Sequence, residues 1–170
     1  MSEAFEQTVL LHLDAAYNLA RWLVRSPTDV EDVVQESCLR ALRFFAGFRG
    51  GDSRAWLLKI VRNTCYSWLR KNRPAQLADE FDETVHGMDG TIENPEAQLI
   101  SRVETERLRK VIEMLPVTFR EVLVLREIEG LTYREISEVT GAPMGTVMSS
   151  LSRARQKVRE QLGASAGKGV

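Results

Sequence analysis

The stretch TYREISEVTGAPMGTVMSSLSRAR, residues 132–155, decides the fold of the C-terminal half of the chain. Thr132 followed three residues later by Glu135 is a capping box, in which hydroxyl and carboxyl each satisfy a backbone N–H left unpaired at a helix start. The helix it opens buries Ile136 and Val139. Gly141 can take the left-handed conformation that stops it, and Pro143 suits the start of the next helix, where its missing N–H costs nothing. In that second helix Val147, Leu151, Ala154, Val158 and Leu162 recur at helical steps and form one narrow apolar stripe. Two helices about a glycine turn, each with one stripe, make a helix-turn-helix.

The face opposite that stripe carries Gly145, Ser149, Ser152, Arg153 and Gln156, with Thr146 and Met148 on its flanks. Small polar side chains there allow close approach to base edges, and Arg153 can fork onto guanine or reach a phosphate. Arg155, Lys157 and Arg159 lie nearer the sides, where phosphate contact and plain solvation are both open. The competing interpretation is an amphipathic helical hairpin with a solvated polar face. Upstream, LPVTFREVLVLREIEGL provides a supporting apolar helix, as a three-helix form of the motif requires.

A duplex reader is ordinarily basic, yet this 170-residue chain has a net charge of −1. Distribution resolves the conflict. Residues 1–74 hold 11 Lys+Arg against 8 Asp+Glu; residues 75–100 hold none against 7; residues 101–170 hold 12 against 9. Two mildly basic blocks flank an acidic strap. The strap, PAQLADEFDETVHGMDGTIEN (residues 74–94), lacks sustained periodicity and is expected to be a linker. Asn94-Pro95-Glu96 then signals a helix start. Strand signals are nearly absent. We therefore expect an all-α protein of two small helical domains, residues 1–73 and 95–163, joined by an acidic linker at 74–94 and followed by a loose tail from 164. The second is the helix-turn-helix domain.

In the first domain, SPTDVEDVVQESCLRALRFF (residues 26–45) offers Thr28 and Glu31 as a second capping box. Its buried stripe is expected to be Val30, Val33, Val34, Cys38, Ala41, Leu42 and Phe45, leaving Asp29, Asp32, Gln35, Glu36, Leu39, Arg40 and Arg43 outward or at the edges. The next helix, in FRGGDSRAWLLKIVRNTCYSWLRKNRP (residues 48–74), is capped by Asp52 or Ser53 and runs to about Asn72. Leu57, Ile60, Val61, Thr64 and Trp68 share one face. Lys59, Arg62, Asn63, Tyr66, Arg70 and Arg73 project opposite, with Trp56 at the margin. Cations that track phosphates, rings that stack on bases and an amide for a base edge suit single-stranded nucleic acid; the alternative is a solvated basic face. Duplex reading at one end and strand holding at the other suit a protein that opens DNA at a chosen place.

With both motif sets in view, residues 29–63 resemble region 2 of the extracytoplasmic-function (ECF) sigma factors of bacterial RNA polymerase, and residues 115–155 resemble their region 4. The resemblance implies a non-enzymatic initiation factor that binds core polymerase (the clamp of the β′ subunit and the β flap), recognises promoter DNA and helps melt it. By the match, Asp32, Gln35, Glu36, Leu39 and Arg40 dock on the clamp. Phe48, Arg49, Gly50, Asp52, Trp56 and Asn63 shape a pocket for the non-template strand of the −10 element, beside Lys59, Arg62 and Tyr66. The recognition helix reads the −35 element through Thr146, Met148, Ser149, Ser152, Arg153 and Gln156. The acidic linker passes through the polymerase toward the RNA exit path, so its charge faces a channel built for RNA. An anti-sigma factor is a further expected partner. Two positions depart from many relatives, which carry a basic residue at Met148 and Arg at Ser150; fewer cations weaken the phosphate contribution or alter the −35 preference.

Other classes fit less well. A stand-alone helix-turn-helix regulator needs a sensing domain, and residues 1–73 show neither strands nor a phosphoacceptor setting. A helical adaptor leaves the aromatic-basic face unexplained, and no nucleophile–base pair or paired carboxylates suggest an enzyme. Cys38 and Cys65 match no redox or metal spacing and are expected to be buried thiols; His12 and His86 have no partner ligands, so neither metal nor cofactor is expected. No apolar run is long enough to span a bilayer and MSEAFEQ lacks a basic start, which points to the cytoplasm.

Overall fold

The computed structural model describes residues 2–77 and 102–168, and every regular element among them is helical. Most of the acidic linker, including His86 and the Asn94-Pro95-Glu96 start signal, lies outside the described residues. In the first domain α1 (Glu3–Thr8) is capped by Ser2, whose hydroxyl accepts from Phe5 N. A 3-10 turn, Leu10–His12, leads into α2 (Leu13–Val24). Arg25 leaves α2 with φ 78°, a left-handed conformation held by a non-glycine residue, so α3 (Pro27–Phe44) can begin two residues later. Its start differs from expectation. Pro27, with φ fixed for the first helical position, moves the cap to Ser26 and places Thr28 inside the first turn, so no Thr28–Glu31 box caps this helix.

Gly50 and Gly51, both at φ 89°, turn the chain into α4 (Ser53–Asn72), where Asp52 accepts from Ala55 N at 3.1 Å. Helices α2, α3 and α4 enclose Leu19, Leu23, Leu57, Leu58 and Leu69, all without solvent exposure. One further turn, α5 (Pro74–Leu77), occupies the expected start of the linker.

The second domain comprises α6 (Arg102–Glu113), α7 (Val117–Leu123), α8 (Tyr133–Thr140) and α9 (Met144–Lys168). Helix α7 widens into a π turn, Val124–Ile128. The capping box forms as expected: Glu135 N donates to Thr132 Oγ1 at 3.1 Å and Thr132 N to Glu135 Oε1 at 2.8 Å. Gly141 ends α8 at φ 79°, and the Pro143 carbonyl accepts the Val147 N–H at the start of α9. Ile136, Val139, Val147, Leu151 and Ala154 are buried with Leu125 and Leu131. Helix α9 continues to Lys168, past the expected start of a loose tail, because nothing in GASAGK forces a stop once a long helix is nucleated.

The two domains pack directly on each other, α8 and the π turn against α4 and α2, and α7 against α2. Arg120 of α7 is buried at the junction. Its Nη1 donates to the carbonyls of Glu113 and Leu115, and its Nη2 to that of Leu23 at 3.2 Å. One guanidinium thus serves carbonyls at the C-terminal ends of both α6 and α2, where four C=O groups lack helical partners and the helix dipole favours a cation. Burial lowers the Arg120 pKa to about 10, with Arg25 adding repulsion, so it still carries its charge at neutral pH.

Candidate nucleic-acid interface

The loop between α3 and α4 and the first turns of α4 build a recess. Phe48, Arg49, Gly50, Asp52 and Trp56, five of the six residues that the resemblance assigns to a pocket, line one cavity of about 320 Å³ together with Lys59, whereas Asn63, the sixth, does not line it. Rings fix its wall. Phe48 packs on Trp56 with centroids 5.1 Å apart, and Phe45 stacks behind Phe48 at 6.0 Å while meeting Phe5 edge-on at 5.4 Å. Such a wall offers an aromatic surface whose own rotamers are already immobilised. The lining also includes a residue that the sequence reading did not name, Glu138 of α8. Asp52 is also influenced from that side: its interaction with the Glu135 side chain is the chief cause holding it below the usual carboxylate range.

Farther along α4, Lys59 and Asn63 are exposed, but Arg62 and Tyr66 are not free to receive a strand. Arg62 Nε donates to Glu121 Oε1 at 2.8 Å and its Nη2 to Oε2 at 3.3 Å, a bidentate pair with a residue of α7. The guanidinium lies 3.7 Å above the Tyr66 ring, and the Tyr66 hydroxyl donates to the same carboxylate. Tyr66 is therefore a correction to the expected outward face: it is 8% exposed. A helical projection separates a helix's own core face from the rest, and it cannot see a second domain laid on that rest. Burial raises the Glu121 pKa even though Arg62 and Tyr66 both pull it down. For Arg62, burial acts to lower the pKa, but the Glu121 bond and charge outweigh it and the net shift is upward. Burial likewise raises Tyr66, keeping its hydroxyl a donor.

On α3, Asp32, Gln35, Glu36 and Leu39 face solvent, and Arg40 is half-buried between Glu36 (3.2 Å) and Thr64 Oγ1 (3.3 Å). Leu42 is a second correction: expected in the buried stripe, it is 40% exposed. The stripe is narrower than drawn, and Ser37, absent from it, is fully buried with its hydroxyl donating to Val33 O. Leu39, Leu42 and Phe44 thus form exposed apolar ground beside the polar residues of α3. Their excess of apolar positions over what one stripe can bury was the available signal.

On α9, Thr146, Met148, Ser149 and Gln156 are exposed, and Ser152 and Arg153 are half-buried on the same helix. Arg155 bonds Glu127 of the π turn through Nε at 2.9 Å, an ion pair within the domain. Ser150 is buried. Cys65 is buried and Cys38 half-buried, both as free thiols, and burial raises the pKa of each. Among the described residues no helix is long and apolar enough to cross a membrane.

Comparison with known proteins agrees with this architecture. The family model for Sigma-70 region 2 matches residues 8–75, and that for Sigma-70 region 4 matches residues 105–158. The chain is 35% identical over 154 residues to the ECF RNA polymerase sigma-E factor of Haemophilus influenzae, spanning 85% of this chain and 79% of that protein. It is 34% identical over 168 residues to the RNA polymerase sigma-H factor of Pseudomonas aeruginosa, spanning 94% and 86%. The sigma factor RpoE of Bartonella quintana, solved in complex with the anti-sigma factor NepR, superposes with a TM-score of 0.72 at 29% identity, covering 95% of this chain and 98% of that one. A helix-turn-helix joined through an acidic connector to an aromatic-basic helical domain, matched by relatives along nearly its whole length, places this chain in the family of ECF sigma factors of RNA polymerase.

Proposed function

We propose the following division of labour within a factor that directs RNA polymerase to promoters. The cavity formed by Phe48, Arg49, Gly50, Asp52, Trp56 and Lys59 receives a base of the non-template strand, and the exposed Asn63 engages the strand as it continues along α4. The observation that carries this reading is the convergence of those six residues on one aromatic-walled recess at the end of a cationic helix. Base stacking on such rings is sequence-tolerant and strong, and the cations supply the phosphate attraction. The outward face of α9 reads the −35 duplex through Thr146, Met148, Ser149, Ser152, Arg153 and Gln156.

The outward face of α3, with Asp32, Gln35, Glu36, Leu39 and Arg40, docks on the β′ clamp, and the exposed Leu39, Leu42 and Phe44 supply the apolar area that a charged surface alone lacks. The second domain meets the β flap. The protein acts in the cytoplasm, catalyses no reaction of its own, and is held in reserve by an anti-sigma factor. Transcription with purified core polymerase on genomic fragments, followed by mapping of start sites, tests the assignment. Start sites sharing −10 and −35 elements, dependent on both this chain and core, are expected. Specific duplex binding by the chain alone with no core-dependent initiation would instead favour a stand-alone regulator.

A further inference from the structure

A second cavity, of about 860 Å³, shares no lining residue with the aromatic recess. Four arginines line it: Arg21 of α2, Arg25 just after α2, Arg73 at the end of α4 and Arg109 of α6. The same lining holds two carboxylates, Glu31 and Glu113. Glu113 is divided, with Oε2 3.8 Å from Arg25 Nη2 and Oε1 3.3 Å from Arg109 Nε. Among the described residues Arg21 and Arg73 have no carboxylate partner. Arg21 bonds Asn18 and lies 5.8 Å from the Tyr17 ring, and Arg73 lies 5.5 Å from the Trp68 ring. Buried Arg120 adds to the same field: after burial itself, repulsion from Arg25 is the next cause of its lowered pKa. At physiological salt charges feel one another over about 8 Å, so guanidiniums around one cavity are only partly screened.

Arg25 makes the arrangement unfavourable in a second, independent way. At φ 78° it is the only non-glycine residue with positive φ among the described residues, in the position after a helix where glycine is the ordinary choice. Glycine would end α2 without strain, whereas arginine keeps the strain and brings a cation to the cavity. Backbone strain of this kind collects at ligand clamps.

We propose that this cavity binds a small anion carrying several phosphate charges, held by Arg21, Arg25, Arg73 and Arg109. A planar guanidinium meets two phosphate oxygens with a pair of charge-assisted bonds, and a polyphosphate concentrates enough oxygens in a few ångströms to serve several guanidiniums at once. The volume lies within the roughly 300–1,000 Å³ of small-molecule sites. A nucleic-acid strand fits less well, because its charges are spread along a line and Glu31 and Glu113 would repel a backbone continuing past the arginines. Inorganic polyphosphate and the polyphosphate of a nucleotide present the same chemistry to the arginines. Half-buried Tyr17, also in the lining, offers a ring that only the nucleotide's base can use.

The test is isothermal titration calorimetry of the full chain at about 0.15 M salt, with inorganic tripolyphosphate and separately ATP, both free of divalent metal. Saturation should also raise the melting midpoint, by about 5–10 °C at a hundred-fold excess over Kd. Arg25→Gly and Arg73→Gln should each weaken binding about ten-fold or more. Arg43→Gln, the same charge change at an exposed position on α3 outside the cavity, should weaken it by less than about two-fold. Since glycine accepts the left-handed conformation, Arg25→Gly without ligand should melt within about 2 °C of wild type, which separates lost binding from lost fold. Equal affinity for both probes identifies inorganic polyphosphate as the ligand; tighter binding of ATP, with the gain lost in Tyr17→Leu, identifies a nucleotide. Either result supports the site. No binding of either probe, or cavity variants that match Arg43→Gln, overturns it. So does a single-stranded DNA of about 12 nucleotides that binds more tightly than tripolyphosphate and is weakened by the same variants, which assigns the arginines to a nucleic-acid backbone. Binding detectable only after Asp79, Glu80, Asp82 and Glu83 are changed to their amides assigns the arginines to the chain's own acidic linker and likewise overturns the ligand site.

Discussion

Asn63→Ala separates strand capture from stability more cleanly than any other substitution on α4. Asn63 is exposed, and its Oδ1 accepts a long 3.4 Å bond from Arg62 Nη1. A neutral side chain bonded that weakly in water contributes at the low end of the usual range, about 0.5 kcal/mol. Alanine is also a better helix former by a comparable amount, so the two nearly cancel. Melting should therefore move by no more than about 2–4 °C. The functional loss is of another size. An amide paired with a base edge is worth about 1–3 kcal/mol, or roughly 5- to 150-fold in occupancy. Transcription from a duplex promoter, with the promoter identified by core-dependent start sites, should fall by that factor. On a template whose −10 segment is already opened by a mismatched bubble the defect should shrink, because the base no longer has to be pulled from its stack. A stably folded Asn63→Ala chain that transcribes the duplex promoter as well as wild type refutes the role given to α4.

Four further outcomes are expected. Arg153→Ala and Ser149→Ala should each cost about 1–3 kcal/mol at promoters that depend on a −35 element, read as altered start-site selection, whereas promoters without one should be little affected. Gln35→Ala combined with Glu36→Arg should weaken co-elution with core polymerase while leaving circular dichroism unchanged, since the exposed Glu36–Arg40 pair it breaks is worth about 0–1 kcal/mol; undiminished co-elution moves the docking surface elsewhere. Arg120→Met removes three charge-assisted bonds to helix-end carbonyls and should destabilise the chain by about 2–4 kcal/mol after allowing for the guanidinium's own burial, seen as a lower melting temperature. Alkylation at pH 8 followed by peptide mapping should leave Cys65 unmodified until the chain is denatured, because burial both blocks the thiol and raises its pKa; rapid labelling of native protein contradicts the packing around α4.

What the sequence determined by itself is what neighbouring residues can settle among themselves. The Thr132–Glu135 box, the Gly141 stop and the Asp52 cap are local, each closed within three to five residues, and each stands where its residue types require. The same short range carried the apolar stripe of α9; the pocket role of Phe48, Arg49, Gly50, Asp52 and Trp56 came from the family resemblance, and their loop runs directly into the helix that adds Lys59 to the recess. Local competition also explains the first miss: Pro27 overrode a plausible box at Thr28. Tertiary structure alone decided where Tyr66 and Arg62 point their chemistry. Their partner Glu121 stands 55 and 59 residues away in sequence, on a helix of another domain. Tyr66 lies on the side of α4 that its own domain leaves uncovered, so periodicity marks it as outward whether water, DNA or a second domain lies beyond. The same holds for Arg120, a charge in an apolar helix that makes sense only once the carbonyl ends of α6 and α2 meet at its guanidinium. A pattern in sequence records which face of a helix is buried by its neighbours in the chain, whereas the partner of a buried charge is chosen by a contact whose two halves share no local signal.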